Sequence, residues 1–520
     1  MNRTVQFIFL ITFFSFGLNA NLIRQTETAS NSTELSSNSD ERIQPYSGNP
    51  VYWQYNGNPV LLISGSSNDN MFQHPYDELI EELDKLIEHG GNYLRNTMSN
   101  RDPGNIQAFY FDEEQGLYDL GRWNDDYWKM FDRYLKATHE RGIIVQIEIW
   151  ATYDFYTRAE YFRDGLTTWQ RNPFNPRNNI NYEEGRNSGL VSNFQSDHDY
   201  LVNPFFYTVL PLPEPFDFSI QPTLLYYQQR FVRKVMETSL PYNHVLYVID
   251  NETNTDPKWP RYWSQFINKI AADHNRQIEV TEMWDTFDPT DGNVEEAARQ
   301  PYDSHFFSKR ASVSNTLYDT DNYTYVDISN HNFQTGETHY KTGLYIWNEI
   351  QRSRILRPTN NTKIYGAGDR WTWTGDRQEA GERFWRNIFA GHASARFHRQ
   401  PYGEGNNEYA LLHVKSMSIL MNELVDDFTK LRPDNSLLHN RQENEAYVLA
   451  DDGNIYVVAF MNGGNVSLDI SKIDAEVATL IWLNVLGNEW TSQIAELNPE
   501  TGLKLQTPEE TGFWVAVVKK

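Results

Sequence analysis

The chain has 520 residues, of which 39% are hydrophobic and 14% aromatic, enough apolar material for a large core and too much for bulk disorder. Asp and Glu number 70 against 45 Lys and Arg, a net charge of −25 that repels phosphate backbones and anionic membranes and argues against a nucleic-acid partner. There is no cysteine, which excludes disulfides, thiolate nucleophiles, Cys-based zinc sites and iron–sulfur clusters.

Residues 1–20 read as a signal peptide: one early Arg, an apolar run from Val5 to Leu18, and a small residue, Ala20, after which cleavage is expected. The run is too short to span a bilayer and no second one follows, so no membrane insertion is expected. Export without cysteines points to a bacterial periplasmic or secreted protein. Residues 21–45 are rich in Ser, Thr, Asn and Glu and read as a flexible linker. Beyond them, strand-like runs alternate with helical spacing. Pro59–Ile63 precedes Leu79, Ile80, Leu83, Leu86 and Ile87, one face of a helix that His89-Gly-Gly91 stops.

The unit recurs. Further strands are expected at Asn92–Arg95, Gly142–Trp150, His244–Ile249, Ile278–Thr281, Tyr323–Ile328, Lys363–Tyr365 and Ala393–Phe397, with a long aromatic insertion at about 155–220 after the third. Eight strands, each ahead of a helix, predict an α/β fold, a (β/α)8 TIM barrel over residues 46–428, and no Gly-rich phosphate turn follows strand one to suggest a doubly wound sheet. After residue 429 short strands are separated by turns such as Asp451-Asp-Gly and Asn462-Gly-Gly, which predicts a small C-terminal antiparallel β-sandwich over 429–520, with Trp482, Trp490 and Trp514 alternating with core positions.

In a barrel the chemistry sits at the C-terminal strand ends. Here those ends carry Asp69, Arg95, Glu148, Trp150, Asn251, Glu252, Glu282, Trp284, His331, Asp369, Trp371, Arg396 and His398. Carboxylates among tryptophans suit glycosidic chemistry, in which one carboxyl protonates the leaving oxygen while another attacks or activates water, and indole faces stack on sugar rings. Asn-Glu occurs six times, but only Asn251-Glu252 directly follows a buried strand, the fourth. Glu252 is therefore the first catalytic candidate, with a helix cap or loop ion pair as its structural alternative. Asp369 is the second carboxyl, Glu282 the reserve, and Arg95 would keep the nucleophile ionised. Asn251, Trp150, Trp284, His331 and Trp371 are candidate sugar contacts. Neither His-x-His nor His-Glu-x-x-His spacing occurs, and no Gly-x-Ser-x-Gly elbow is present, so no metal, no cofactor and no serine-hydrolase chemistry is expected.

This layout resembles glycoside hydrolase clan A, whose members carry Asn-Glu after strand four as acid/base and a carboxylate after strand seven as nucleophile. More narrowly, Tyr55-Asn-Gly-Asn-Pro-Val-Leu-Leu-Ile-Ser-Gly65, with Asn454–Phe460 and Trp482–Gly487, is similar to apiosidase-like barrels bearing a C-terminal domain named for collagen binding. The resemblance implies an exported glycoside hydrolase, a hydrolase of O-glycosyl bonds, acting on plant or algal polysaccharide fragments, with an oligosaccharide as partner and retention of configuration. It also has a gap. Where that family places Glu after strand seven, this chain reads Tyr365-Gly-Ala-Gly-Asp-Arg370, so inversion, a non-catalytic carbohydrate-binding role, or a lyase stay open.

Overall fold

The computed structural model describes residues 41–155, 166–185, 190, 192, 204–209, 222–252, 257–283, 313–329, 334–366, 375–498 and 501–520. Contacts divide the chain into Met1–Ser36 and Ser37–Lys520, and all described residues belong to the second unit. The expected signal peptide, most of the linker and much of the 155–220 insertion lie outside the described residues. The linker's last five residues are ordered: Ile43 is buried, Arg42 pairs with Glu279 at 2.5 Å, and Gln44–Pro45 pairs with Trp53–Gln54. The expected first strand is in fact two. Asn58–Val60 belongs to this small antiparallel sheet, and the parallel strand begins only after Leu61.

Eight parallel strands follow: β1 (Leu62–Gly65), β2 (Tyr93–Thr97), β3 (Ile144–Ala151), β4 (Val245–Asn251), β5 (Glu279–Thr281), β6 (Val326–Asp327), β7 (Thr359–Asn360) and β8 (Ser394–Phe397). Between them run α1 (Tyr76–Glu88), α2 (Asp125–Glu140), α3 (Pro222–Ser239), α4 (Lys258–Asp273), α5 (Gly336–Ser353) and α6 (Arg377–Phe389), with α7 (Glu408–Ile419) after β8. The helix starts are chemically marked. Asn124, Asp376 and Asn407 accept backbone N–H groups of the first turns of α2, α6 and α7, satisfying donors that have no partner inside a helix.

The strands pair in order β2-β3-β4-β5, β6-β7 and β8-β1. Backbone bonds also link the remaining neighbours: Asn92 N to Ile63 O (3.0 Å), Thr324 N to Val280 O (2.8 Å), and, between β7 and β8, Ala393 N to Thr359 O and Arg396 N to Asn361 O (both 3.1 Å). Two cores result. One lies between strands and helices around Phe131, Trp150, Trp259 and Trp263, and the other runs through the strand interior into the C-terminal sheets.

Beyond residue 429 the strands β9 (Ala446–Asp451), β10 (Ile455–Phe460), β11 (Asn465–Leu468), β12 (Val477–Asn484), β13 (Glu489–Glu496), β14 (Leu503–Gln506) and β15 (Trp514–Lys519) form two antiparallel sheets. The larger is ordered Arg432–Pro433, β9, β10, β15, β12, β13, and the smaller Leu438–His439, β11, β14. Leu468, Ile470, Tyr456 and Leu505 are buried together in the third hydrophobic core. Trp482 and Trp514 are buried, whereas Trp490 is 46% exposed, because β13 is an edge strand almost wholly open to solvent.

Candidate active site

A layer of polar side chains lies between the parallel strands, where aliphatic side chains would ordinarily fill the space. Gln146 of β3 is bonded to Tyr93 of β2, Asn360 of β7 gives its amide to Gln146 at 3.0 Å, and Trp53 donates its indole N–H to Asn360 at 2.8 Å. Gln146 also donates to Asp327 at 3.2 Å, and burial pushes that carboxyl up to about 6. Each polar group in this layer has a partner, as a low-dielectric interior requires.

Above this layer, at the C-terminal strand ends, the polar groups become charged. Arg95 on β2 is 1% exposed and sits between carboxylates, with Nε and Nη2 on Glu148 at 2.5 and 2.7 Å and Nη1 2.8 Å from Asp69. Burial alone would lower its pKa, but Asp69 and Glu148 hold it well above the ordinary Arg value. Arg95 Nη2 donates to Asn251 Oδ1 at 2.9 Å, and Lys363 Nζ donates to the same oxygen at 2.7 Å. Lys363 also forms an ion pair with Glu252. The sequence's strongest motif thus sits between two cations.

Glu252 has φ of 60°, a left-handed conformation that costs a side-chain-bearing residue about 1–3 kcal/mol and is found preferentially at functional sites. Thr152, the first residue past β3, supports it by donating to the Asn251 carbonyl at 2.5 Å. Burial would raise the Glu252 carboxyl, yet Lys363, with Arg95 and Arg101 behind it, holds it below the usual carboxylate range. Glu252 is therefore an ionised carboxylate at neutral pH, 21% exposed, beside a lysine that is only 2% exposed.

Asp69, at the end of β1, anchors the opposite side. Fully buried, it meets Arg95, Arg396 (3.1 Å), Arg399 (3.0 Å) and Arg101 (3.4 Å). Burial opposes its ionisation, but Arg95 and the other guanidiniums outweigh that and hold it well below the ordinary Asp value. His398 stands 3.9 Å away, and burial beside so many cations keeps it neutral. Arg101 lies 4.7 Å over the Tyr153 ring, and both line an open cleft of about 890 Å³ whose walls include Asn100, Gln107, Phe111, Tyr118, Asp154 and Asn172. Burial pushes Asp154 up to about 7, against the pull of Arg101 and the Asn100 amide.

The structure therefore brings together Arg95, Asn251 and Glu252. Glu282 is elsewhere: 2% exposed, it accepts from Thr316 at 2.8 Å and Tyr323 at 2.6 Å in the wall beside β5. Trp150 must be corrected. Expected as a sugar platform, it is 3% exposed, with its ring centroid within 5.5 Å of those of Phe205, Phe231 and Trp263 in the layer between strands and helices. Asp369, Trp284, His331 and Trp371 lie outside the described residues. Reading strand ends placed Asp69 and Glu148 there without giving them a role, and gave no role to Lys363, Arg101 or Asp154. The signal for Lys363 was a lysine opening an apolar strand-like triplet, which a buried position can hold only with a carboxylate partner. Among the described residues no cluster of three or more His, Asp or Glu is arranged to hold a metal ion.

No family model matches the chain, and no curated protein matches it. Solved structures do. A glycoside hydrolase family 5 protein from Bacteroides vulgatus ATCC 8482 is 12% identical, with 93% of this chain and 94% of that one covered at a TM-score of 0.58. Another glycoside hydrolase is 11% identical, with 93% of this chain and 97% of that one covered at a TM-score of 0.54. At these identities the likeness is one of fold, and it takes in the C-terminal sheets as well as the parallel strands.

Proposed function

We propose that the eight parallel strands close as a (β/α)8 barrel of the clan A type and that the protein is an exported glycoside hydrolase acting on plant or algal oligosaccharides. The observation that carries the reading is Asn251-Glu252 at the end of the fourth strand, in a strained backbone, with Arg101, whose charge Glu252 feels, lining a polar and aromatic cleft large enough for sugar rings. Edge bonds between every neighbouring strand pair and fold likeness to a family 5 protein support it. In the two-carboxylate scheme Asp369 is the partner of Glu252, and product anomers analysed by NMR distinguish retention from inversion.

The ion pair with Lys363 bears on Glu252's role. A carboxyl held ionised cannot donate a proton to the leaving oxygen, so Glu252 acts as base or nucleophile unless substrate displaces Lys363. The same pair favours a second reading, a carbohydrate-binding protein on a glycosidase fold in which Glu252 only accepts hydrogen bonds. Glu252→Gln separates the two. In a reducing-sugar screen against plant and algal oligosaccharides, a hydrolase loses turnover by about 100-fold or more while sugar affinity largely survives. Sugar binding by the unaltered protein without turnover on any substrate would leave the binding reading, and no sugar binding at all would remove both.

A further inference from the structure

The charges around Asp69 do not balance. Arg95 is matched by Glu148, with which it makes a two-point contact. That leaves the Asp69 carboxylate facing three more guanidiniums, those of Arg101, Arg396 and Arg399. Arg396 is spoken for within the fold, donating to the Thr362 carbonyl at 2.6 Å and to Ser66 as well as to Asp69. Arg101 and Arg399 are different. Arg101 uses Nε on Ser99 (2.9 Å) and Nη1 on Asp69, and Arg399 uses Nε on Asp69. Arg101 Nη2 and both Nη atoms of Arg399 have no hydrogen-bond partner among the described residues. Their side chains are 8% and 17% exposed.

Arg101 lines the cleft, and Arg399, bound to the same Asp69 carboxylate, lies behind its wall. Tyr153, a lining residue, has Arg101 over its ring and feels the charge of Arg399 as well. Arg399 in turn lies 5.2 Å over Tyr402. The carboxylates in the cleft wall do not neutralise them: Asp102 is held by Asn68 at 2.6 Å, and Asp154 receives the Asn100 amide at 3.3 Å, and neither is hydrogen-bonded to Arg101 or Arg399. Two half-used guanidiniums on tyrosine faces, sharing one buried carboxylate in a chain of net charge −25, form a local cationic site on an otherwise repelling surface.

We propose that Arg101 and Arg399 bind an anionic group on the substrate, a uronate carboxylate or a sulfate ester, so that the sugar taken by this cleft is an acidic one. The inference rests on the carbohydrate reading above and narrows it to a substrate class. Guanidinium forks match carboxylate and sulfate oxygens in pairs, and Asp69, holding Arg399 by Nε and Arg101 by Nη1 with Ser99 on its Nε, fixes both side chains so that the remaining nitrogens are presented without further loss of rotamer freedom.

The test compares matched neutral and acidic oligosaccharides by calorimetry: xylan against glucuronoxylan fragments, galactan against galacturonan, and agarose against carrageenan fragments. The protein used is full-length, with Glu252→Gln to prevent turnover. The acidic member of at least one pair should bind about tenfold tighter or better than its neutral counterpart, the advantage shrinking with salt. The galacturonan and carrageenan arms tell carboxylate from sulfate. In Arg399→Gln and in Arg101→Gln, each checked for folding by thermal melting, the ratio within that pair should fall toward one. Neutral sugars binding as well as acidic ones, or a preference that survives both substitutions, would overturn the proposal while leaving the carbohydrate reading intact. No binding to any member would overturn both.

Discussion

Replacing Lys363 with methionine removes the ammonium from the Glu252 pair while keeping most of the side chain's length. Breaking a fully buried ion pair by deleting one partner costs about 3–5 kcal/mol, because the other charge is stranded. Glu252 keeps 21% of its side chain exposed and can recruit water, so about 1–3 kcal/mol is expected here. The pH dependence follows from the depressed Glu252 pKa. The pair's stabilisation is present above the unfolded value of 4.5 and is lost as pH falls through the lower folded value. Without Lys363, burial works against only Arg95 and Arg101, and the Glu252 pKa rises. The cost of Lys363→Met should therefore be full at pH 7 and shrink in acid. Urea denaturation of the wild type, Lys363→Met, Glu252→Gln and the double variant measures it, with a coupling of at least about 1 kcal/mol at pH 7. Equal cost with and without the Glu252 carboxylate would refute the reasoning, since the lysine would then be acting through packing or through Asn251 alone.

Two further outcomes are expected. Trp150→Ala should cost about 3–5 kcal/mol in denaturant unfolding as a core truncation, yet leave oligosaccharide affinity of the folded protein unchanged, and a selective loss of affinity would restore Trp150 as a sugar platform. Asp154, raised to about 7, contributes stability that is complete below its unfolded value of 3.8 and is lost as pH rises through about 7. Asp154→Asn should thus gain on the wild type between pH 5 and pH 8 by about 1–2 kcal/mol, discounted for its partial exposure, and a difference independent of pH would contradict the assignment.

The parallel strands were legible where they are apolar. Gly142–Trp150 and His244–Ile249 read as buried runs because both faces are covered, one by the interior and one by helices, and they appear as β3 and β4 within a few residues. The seventh was legible only at its far end, where Ile364 of the expected Lys363–Tyr365 bridges Phe397 of β8 in parallel, and its start was hidden for the converse reason. Thr359 and Asn360 form β7, but Thr359-Asn-Asn-Thr362 faces Trp53, Ser329 and Ser394 through hydrogen bonds, so no hydrophobic run marks it. Asn251-Glu252 was readable because strand order located it, whereas its partners were not: Lys363 is 111 residues away and Asp69 meets Arg399 across 330, separations that only the folded arrangement of the strands brings together. Trp150 failed because alternation along a strand assigns a face only while the strand stays regular, and at its end the ring turns outward to the helices.

The C-terminal sheets bear on the site through the core they share with β8. Ala395 and Phe397 of that strand lie in one hydrophobic cluster with Phe384 and Trp385 of α6, Val414 and Met417 of α7, and Tyr447, Val457 and Val515 of the larger sheet. Polar contacts fix the same layers. Trp385 donates to His413 at 2.9 Å, Ser416 to the Val485 carbonyl at 2.7 Å, and Gln378 to the Met461 carbonyl at 2.8 Å. Burial holds His413 down at about 3, so its ring stays neutral and can accept the Trp385 proton. Arg396, next to Phe397, and Arg399, two residues past it, inherit their positions from this packing. Interiors at crystal-like density transmit a shift in one layer to the next. Guanidiniums that must present free nitrogens to a ligand at hydrogen-bond distance tolerate only a fraction of an ångström of such movement. The sheets, which supply no side chain to the charged cluster among the described residues, therefore belong to the structure that sets its geometry.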